Sequence, residues 1–206
     1  VTGGTRHHAA TIEKLNKVVE SRLGEIIFGL TMLVSKGRTV FVADTNVHDN
    51  PTAEQLVKIA ISSTRVARLF GFDPKVAFLS HSTFGKPATE RTKHVREAID
   101  LMKTMKIDFD YDGEMQPDVA LNPEYKASYP FSKIVGNANI LIMPALHSAS
   151  ITVKLMKTFG GAKLIGPLLI GLGLPIEIAP LRSSPSEILN LASIAAYSSE
   201  VIDYKS

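Results

Sequence analysis

Three short segments concentrate the side chains able to do chemistry: Asp44-Thr45-Asn46, Ser80-His81-Ser82-Thr83-Phe84-Gly85 and Ala145-Leu146-His147-Ser148. The second offers the hydroxyls of Ser80, Ser82 and Thr83, the glycine Gly85 and backbone N–H groups ahead of a helix. That set suits a phosphate or another anion; a plain turn capped by Ser and Thr is the competing reading. The glycine and lysine spacing of an NTP-binding loop is missing. His81 and His147 stand where an imidazole titrates usefully near neutral pH, unless each is simply a hydrogen-bonded structural His. Asp44, Asp112, Glu114 and Asp118 fall at or near loop positions, with His48 and His147 as further donors. Their spacing fits no zinc or calcium pattern, so caps and turns account for them better. Neither a Gly-x-Ser-x-Gly elbow nor a GxGxxG after a strand is present, which removes two common routes to hydrolase and dinucleotide chemistry.

These loops need elements to hold them. Apolar positions Ile12, Leu15, Val18 and Val19 predict a helix over 9–22, and the apolar run 25–34 predicts a strand ending at the turn Ser35-Lys36-Gly37. A buried strand follows at 39–43, then a helix whose start is capped by Asn50 or Thr52 and whose end is set by Gly71. The unit recurs: strand 75–79 with helix 89–105, strand 107–111 before Asp112-Gly113, and a short helix over 117–125. Strand 139–143 precedes a helix reaching Phe159, and strand 176–179 precedes a helix over 185–198. Alternation of this kind implies parallel pairing with right-handed crossovers. The expected fold class is α/β, a three-layer α/β/α arrangement around a mainly parallel sheet. Ligands of such sheets bind beyond the carboxyl ends of the strands, where the three loops lie.

Composition narrows the function classes. At 206 residues, with 45% hydrophobic and 21% charged residues, the chain reads as one ordinary globular unit. A formal charge of +3 spread along the chain gives no basic patch, so no nucleic-acid partner is expected. The absence of cysteine excludes disulfides, thiolate metal sites and a thiol nucleophile, and fits a reducing compartment such as the cytoplasm. The apolar stretch 164–181 has the length of a membrane span but carries Gly166, Pro167, Gly171, Gly173, Pro175, Glu177 and Pro180. It predicts strand, turn and strand, with no membrane partner. The start Val1-Thr2-Gly3-Gly4 has no initiator Met and no leader pattern, and is read as an internal boundary of a longer parent chain.

Several segments, in order, resemble the phosphate acetyl/butyryltransferase family. They are Phe41-Val42-Ala43-Asp44 through Pro51-Thr52-Ala53-Glu54, Ser80 to Gly85, Asp112-Gly113-Glu114-Met115-Gln116-Pro117-Asp118, Gly136-Asn137-Ala138-Asn139 through Met143-Pro144, and Gly160-Gly161-Ala162 with Ile165-Gly166-Pro167. Tyr111-Asp112-Gly113-Glu114-Met115, Ala120-Leu121-Asn122 and Pro144 to Ser150 are most similar to one branch, the C-terminal domain of bacterial NADP-dependent malic enzymes. The resemblance implies an isocitrate/isopropylmalate dehydrogenase-like fold. Residues 1–206 would be the C-terminal portion of such a domain, with a central unit over about 20–175 and a strand and helix over about 176–206 returning to a neighbouring subdomain. It also implies a cytoplasmic, homo-oligomeric parent that converts malate to pyruvate in preceding domains, using NADP and Mg or Mn there. Here the cofactor expectation is none, with acetyl-CoA as an effector.

The departures from the family pattern matter as much. Active members carry a Ser-Arg pair with an Asp a few residues on, thought to take the thiol proton of CoA. Aligned on Arg182, this sequence has Leu181 and Ile188 at those places; one deletion brings Glu187 to the acid position. Ala145 replaces a further family Asp. The expectation is therefore binding without turnover. Asp44, Thr45, Ser80, Ser82, Thr83, Gly85, His147, Ser148 and Arg182 form the ligand set. The alternative is an active acyltransferase with Glu187 as base and Arg182 as clamp. The apolar residues Ile188, Leu189, Leu191, Ala192, Ile194 and Ala195 of the last helix suit a subunit interface or ordinary core packing.

Overall fold

The computed structural model describes residues 1–3, 8–15, 17–87 and 89–201. His7 and Asn16, the latter within the helix expected over 9–22, lie outside them. Six strands form the main sheet: β2 (Phe28–Ser35), β3 (Arg38–Ala43), β4 (Lys75–Leu79), β5 (Asp110–Met115), β6 (Ile140–Ile142) and β7 (Lys163–Ile170), in the spatial order β5-β4-β6-β3-β2-β7. From β5 to β3 the strands are parallel, whereas β2 runs antiparallel to both β3 and β7. The antiparallel edge follows from a two-residue link. Lys36 and Gly37 both have positive φ, 50° and 73°, the mirror-image turn that matches the twist of a hairpin. Two further strands, β1 (Thr2–Gly3) and β8 (Ile178–Ala179), pair in parallel as a separate small sheet.

Alternation along the parallel strands sorts side chains to two faces. Phe41, Ala43, Val76, Phe78, Ile140 and Ile142 pack under α2 (Ala53–Leu69) and α3 (Lys93–Lys103). Val42, Ala77, Leu79, Leu141 and Met143 pack on the opposite face with α4 (Pro117–Leu121) and α6 (Leu146–Thr158). The three-layer α/β/α arrangement is the one expected. Thr52, rather than Asn50, caps α2: its hydroxyl accepts from the Gln55 N–H while the Gln55 side chain accepts from the Thr52 N–H.

Several boundaries differ from expectation for local reasons. Asp112 and Glu114 belong to β5 and not to a loop, because β4 pairs with Asp112, Gly113 and Met115 and the register shifts past Glu114 between them. The helix expected over 117–125 divides at Asn122, whose side chain caps α5 (Pro123–Lys126) by accepting from the Glu124 N–H. Helix 9–22 is shortened to α1 (His8–Leu15), and 89–105 resolves into a single turn, Glu90–Thr92, before α3. The last helix, α7 (Pro185–Val201), buries Leu191 and leaves Ile188 and Leu189 exposed. No helix among the described residues is long and apolar enough to cross a membrane.

Glu177 lies just before β8, 5% exposed, and accepts a hydrogen bond from the Leu169 N–H at 3.0 Å. Burial pushes its carboxyl up from 4.5 to about 8, against the smaller opposing effect of that hydrogen bond. The folded state therefore holds a proton that the unfolded chain releases. Stability from this group is complete below pH ~4.5 and is lost as pH rises through about 8. Glu177→Gln should match the parent at low pH and be more stable by roughly 4 kcal/mol above pH 8. Urea denaturation across pH 4.5–9 measures that difference.

Candidate functional site

At the end of β3 the chain turns around the side chain of Asp44, which is 2% exposed. Its Oδ1 accepts from the backbone N–H groups of Gly29, Asn46 and Val47 at 2.9, 2.7 and 3.1 Å. Its Oδ2 accepts from the His48 N–H at 2.8 Å and lies 2.7 Å from His48 Nδ1. The approach is close because Gly29 has no side chain; a Cβ there would sit 2.6 Å from Asn46 Cβ. Asp44, expected among the ligand groups, is thus engaged as the organiser of its own loop. Its neighbour Thr45 hydrogen-bonds Thr31 and Gly29 while facing a cleft described below.

The Ser80 to Gly85 loop follows the same logic. Glu114, 1% exposed on β5, reaches into it: Oε1 accepts from Ser82 Oγ at 3.0 Å and from the Gly85 N–H at 2.9 Å. Arg96 from α3 lies 3.7 Å from the same oxygen. Thr83 Oγ1 accepts from the Gln116 N–H at 3.1 Å. The anion cradle read from these residues holds an anion, but an internal one. Ser82, Thr83 and Gly85, expected as ligand groups, are placed here as partners of β5 and its exit.

The remaining expected groups divide between two clefts. One, of about 330 Å³, opens between α6 and the start of α7 and is lined by Thr45 and Arg182 together with Asn46, Lys154, Lys157 and Glu187. Arg182 makes no hydrogen bond or ion pair among the described residues. Two buried polar atoms on the same walls, Asn46 Nδ2 and Ser183 Oγ, also lack a partner among them. The apolar wall is supplied by Val153, Leu164, Ile165 and Leu191. The other cleft, of about 840 Å³, lies beyond the carboxyl ends of β4 and β6 and is lined by Ser80, His81, His94, His147 and Ser148. Ser148 Oγ donates to the Ala145 carbonyl at 2.7 Å, and His94 Nε2 is 3.0 Å from the Pro144 carbonyl. The nine expected residues therefore do not form a single site. Among the described residues no three His, Asp or Glu side chains gather as a metal site.

Glu187 has a defined structural task. Its Oε2 accepts from the Ser184 N–H at 2.7 Å, while the Glu187 N–H donates to Ser184 Oγ at 3.2 Å. This reciprocal pair starts α7. Oε1 accepts from Lys157 Nζ of α6 at 3.0 Å. The Ser184 backbone bond, and then Lys157, hold the carboxyl below its ordinary value. A carboxylate so stabilised is a poor proton acceptor. The signal for this role, Ser184-Pro185-Ser186-Glu187, was in the sequence; Lys154 and Lys157, facing the cleft from α6, were missed because polar positions on a helix do not announce what they face.

A family model described as phosphate acetyl/butaryl transferase matches residues 1–196. The chain belongs to that family. Within the family's reach, the NADP-dependent malic enzyme of Rhizobium meliloti (strain 1021) is 45% identical over 197 residues, 96% of this chain and 26% of that protein. The phosphate acetyltransferase of Clostridium acetobutylicum is 39% identical over 154 residues, 74% of this chain and 46% of that protein. Among solved structures, a phosphotransacetylase from Streptococcus pyogenes superposes with a TM-score of 0.88 at 30% identity, covering 96% of this chain and 61% of that one. The chain thus spans about a quarter of the malic enzyme and about three fifths of the family crystal structure.

Removing the Asp44 carboxylate would leave four backbone N–H groups without their acceptor. Asp44→Ala should lose roughly 3–5 kcal/mol of stability, read as a fall in urea midpoint at unchanged slope.

Proposed function

We propose that this chain is a phosphotransacetylase-family domain that binds acetyl-CoA or a related CoA ester in the α6–α7 cleft without transferring its acyl group. The observation that carries this reading is the unequal state of the two groups needed for acyl transfer. Arg182 lines the cleft with no partner among the described residues, beside Asn46 Nδ2 and Ser183 Oγ, which also lack one among them. The acid on the same lining, Glu187, is engaged by the Ser184 N–H and by Lys157. A thiol with an ordinary pKa near 8.5 needs a placed base to attack quickly at neutral pH. Leu181 and Ile188 supply none.

The residues fit the ligand class. Lys154, Lys157 and Arg182 offer cations for the phosphates of CoA, and Leu164, Ile165 and Val153 offer an apolar wall for its pantetheine and acyl portions. Orphaned donors such as Asn46 Nδ2 favour an occupant rich in acceptors. The similarity to malic enzymes supports placing this domain after malate-oxidising domains of one cytoplasmic, homo-oligomeric chain. NADP and a divalent metal would belong to those domains. Acetyl-CoA then acts as a feedback effector of pyruvate formation, which requires that it bind two states of the assembly unequally.

Calorimetric titration of acetyl-CoA into the full-length protein should give saturable binding that Arg182→Ala weakens by about 10–100-fold, the worth of a charge-assisted hydrogen bond. Acetyl phosphate plus CoA should give no turnover above background. Robust turnover that disappears in Glu187→Gln would establish the acyltransferase reading instead. No heat and no change in malate kinetics would leave a purely structural domain.

A further inference from the structure

Farther along α7 from Glu187, the C-terminal half of that helix covers a separate cavity of about 310 Å³. It shares no lining residue with the α6–α7 cleft. Its walls are hydrocarbon: Val66 and Phe70 from α2, Leu168 and Ile170 from β7, and Ile194 and Val201 from α7. Two of the polar side chains that interrupt that surface are more than nine-tenths buried. Ser62 is 4% exposed, and its hydroxyl makes no hydrogen bond among the described residues. Glu177 is 5% exposed and has one carboxyl oxygen, Oε2, engaged by the Leu169 N–H.

A molecule entering this hollow therefore meets one carboxyl oxygen of Glu177 and the Ser62 hydroxyl, neither engaged by a described residue. Burial keeps the proton on Glu177 near neutral pH, and with Oε2 accepting from Leu169 that proton belongs on the other oxygen. The hollow thus presents O–H donors and requires an acceptor. The other charged or titratable groups lining it are Arg22 and Glu25 from the segment before β2, Arg65 from α2 and Tyr197 from α7; β7 contributes none. Arg22 and Arg65 both pair with Glu25.

We propose that this cavity is a second ligand site, taking an aliphatic monocarboxylate whose head accepts hydrogen bonds from Glu177 and Ser62 and whose chain lies on the apolar wall. The two oxygens of the acceptor head complete both hydroxyl donors. An alkylamine would bring a second donor to groups that already donate. A plain alkanol would gain the wall but bring one oxygen to two donors.

The test titrates the full chain calorimetrically with hexanoate, hexylamine and hexan-1-ol at pH 6.5 and 9.5. Hexanoate should bind saturably at pH 6.5 and weaken at least about tenfold at pH 9.5, where Glu177 ionises and repels it. Glu177→Gln keeps an N–H donor, so binding should persist with that pH dependence removed. Ser62→Ala should weaken binding several-fold at pH 6.5, which preserves the test should Glu177→Gln fail to fold. Binding should survive in Arg182→Ala and be abolished by Ile194→Trp, which fills the hollow. Hexylamine binding better than hexanoate, equal binding of hexan-1-ol and hexanoate at both pH values, or no saturable heat would each overturn the proposal. So would loss of hexanoate binding in Arg182→Ala, which would move the carboxylate to the α6–α7 cleft.

Discussion

Asp44 gathers four backbone N–H groups and an imidazole nitrogen around one buried carboxylate, and the shape of the α6–α7 cleft follows from that arrangement. The loop leaving β3 is drawn back against Gly29 of β2, which sets Thr45 and Asn46 on the cleft wall. A chain segment carrying so many inward N–H groups would otherwise need water or a bound anion. Glu114 repeats the device at the exit of β4, where it fixes Ser82 and Gly85. Both strand-end loops are therefore tied to internal carboxylates, and the cations lining the α6–α7 cleft lie outside these turns.

Lys154 and Lys157 come from α6 and Arg182 from the approach to α7, with Glu187 tying the two helices through Lys157. An exposed ion pair of this kind contributes little stability. What the pair does locally is engage both oxygens of the one Glu side chain on this cleft's lining, Oε2 with the Ser184 N–H that starts α7 and Oε1 with Lys157.

Much of the scaffold was legible from residue pattern. Phe41-Val42-Ala43 and Val76 to Leu79 announce strands buried on both faces, and Thr52 with Gln55 announces the start of α2. The β2–β3 hairpin was harder, since Lys36-Gly37 marks a turn without fixing the direction of the next pairing. The site was legible only by type. Ser82, Thr83 and Gly85 have the composition of an anion cradle, and they do hold a carboxylate. What composition cannot reveal is that Glu114, 32 residues away from Ser82, supplies it. Likewise Thr45 and Arg182, far apart in sequence, meet in one cleft while Ser80 and His147 meet in another, because the strand order β4-β6-β3 separates the loops.

The outer margin of β7 illustrates how the fold guards itself. A terminal strand normally offers a row of N–H groups on which another chain can assemble, seeding fibrils or sticky dimers. Here Pro167 has no N–H to offer, and two residues on, the outward N–H of Leu169 is already bonded to Glu177. The acid that burdens the interior thereby occupies an N–H that an added strand would need.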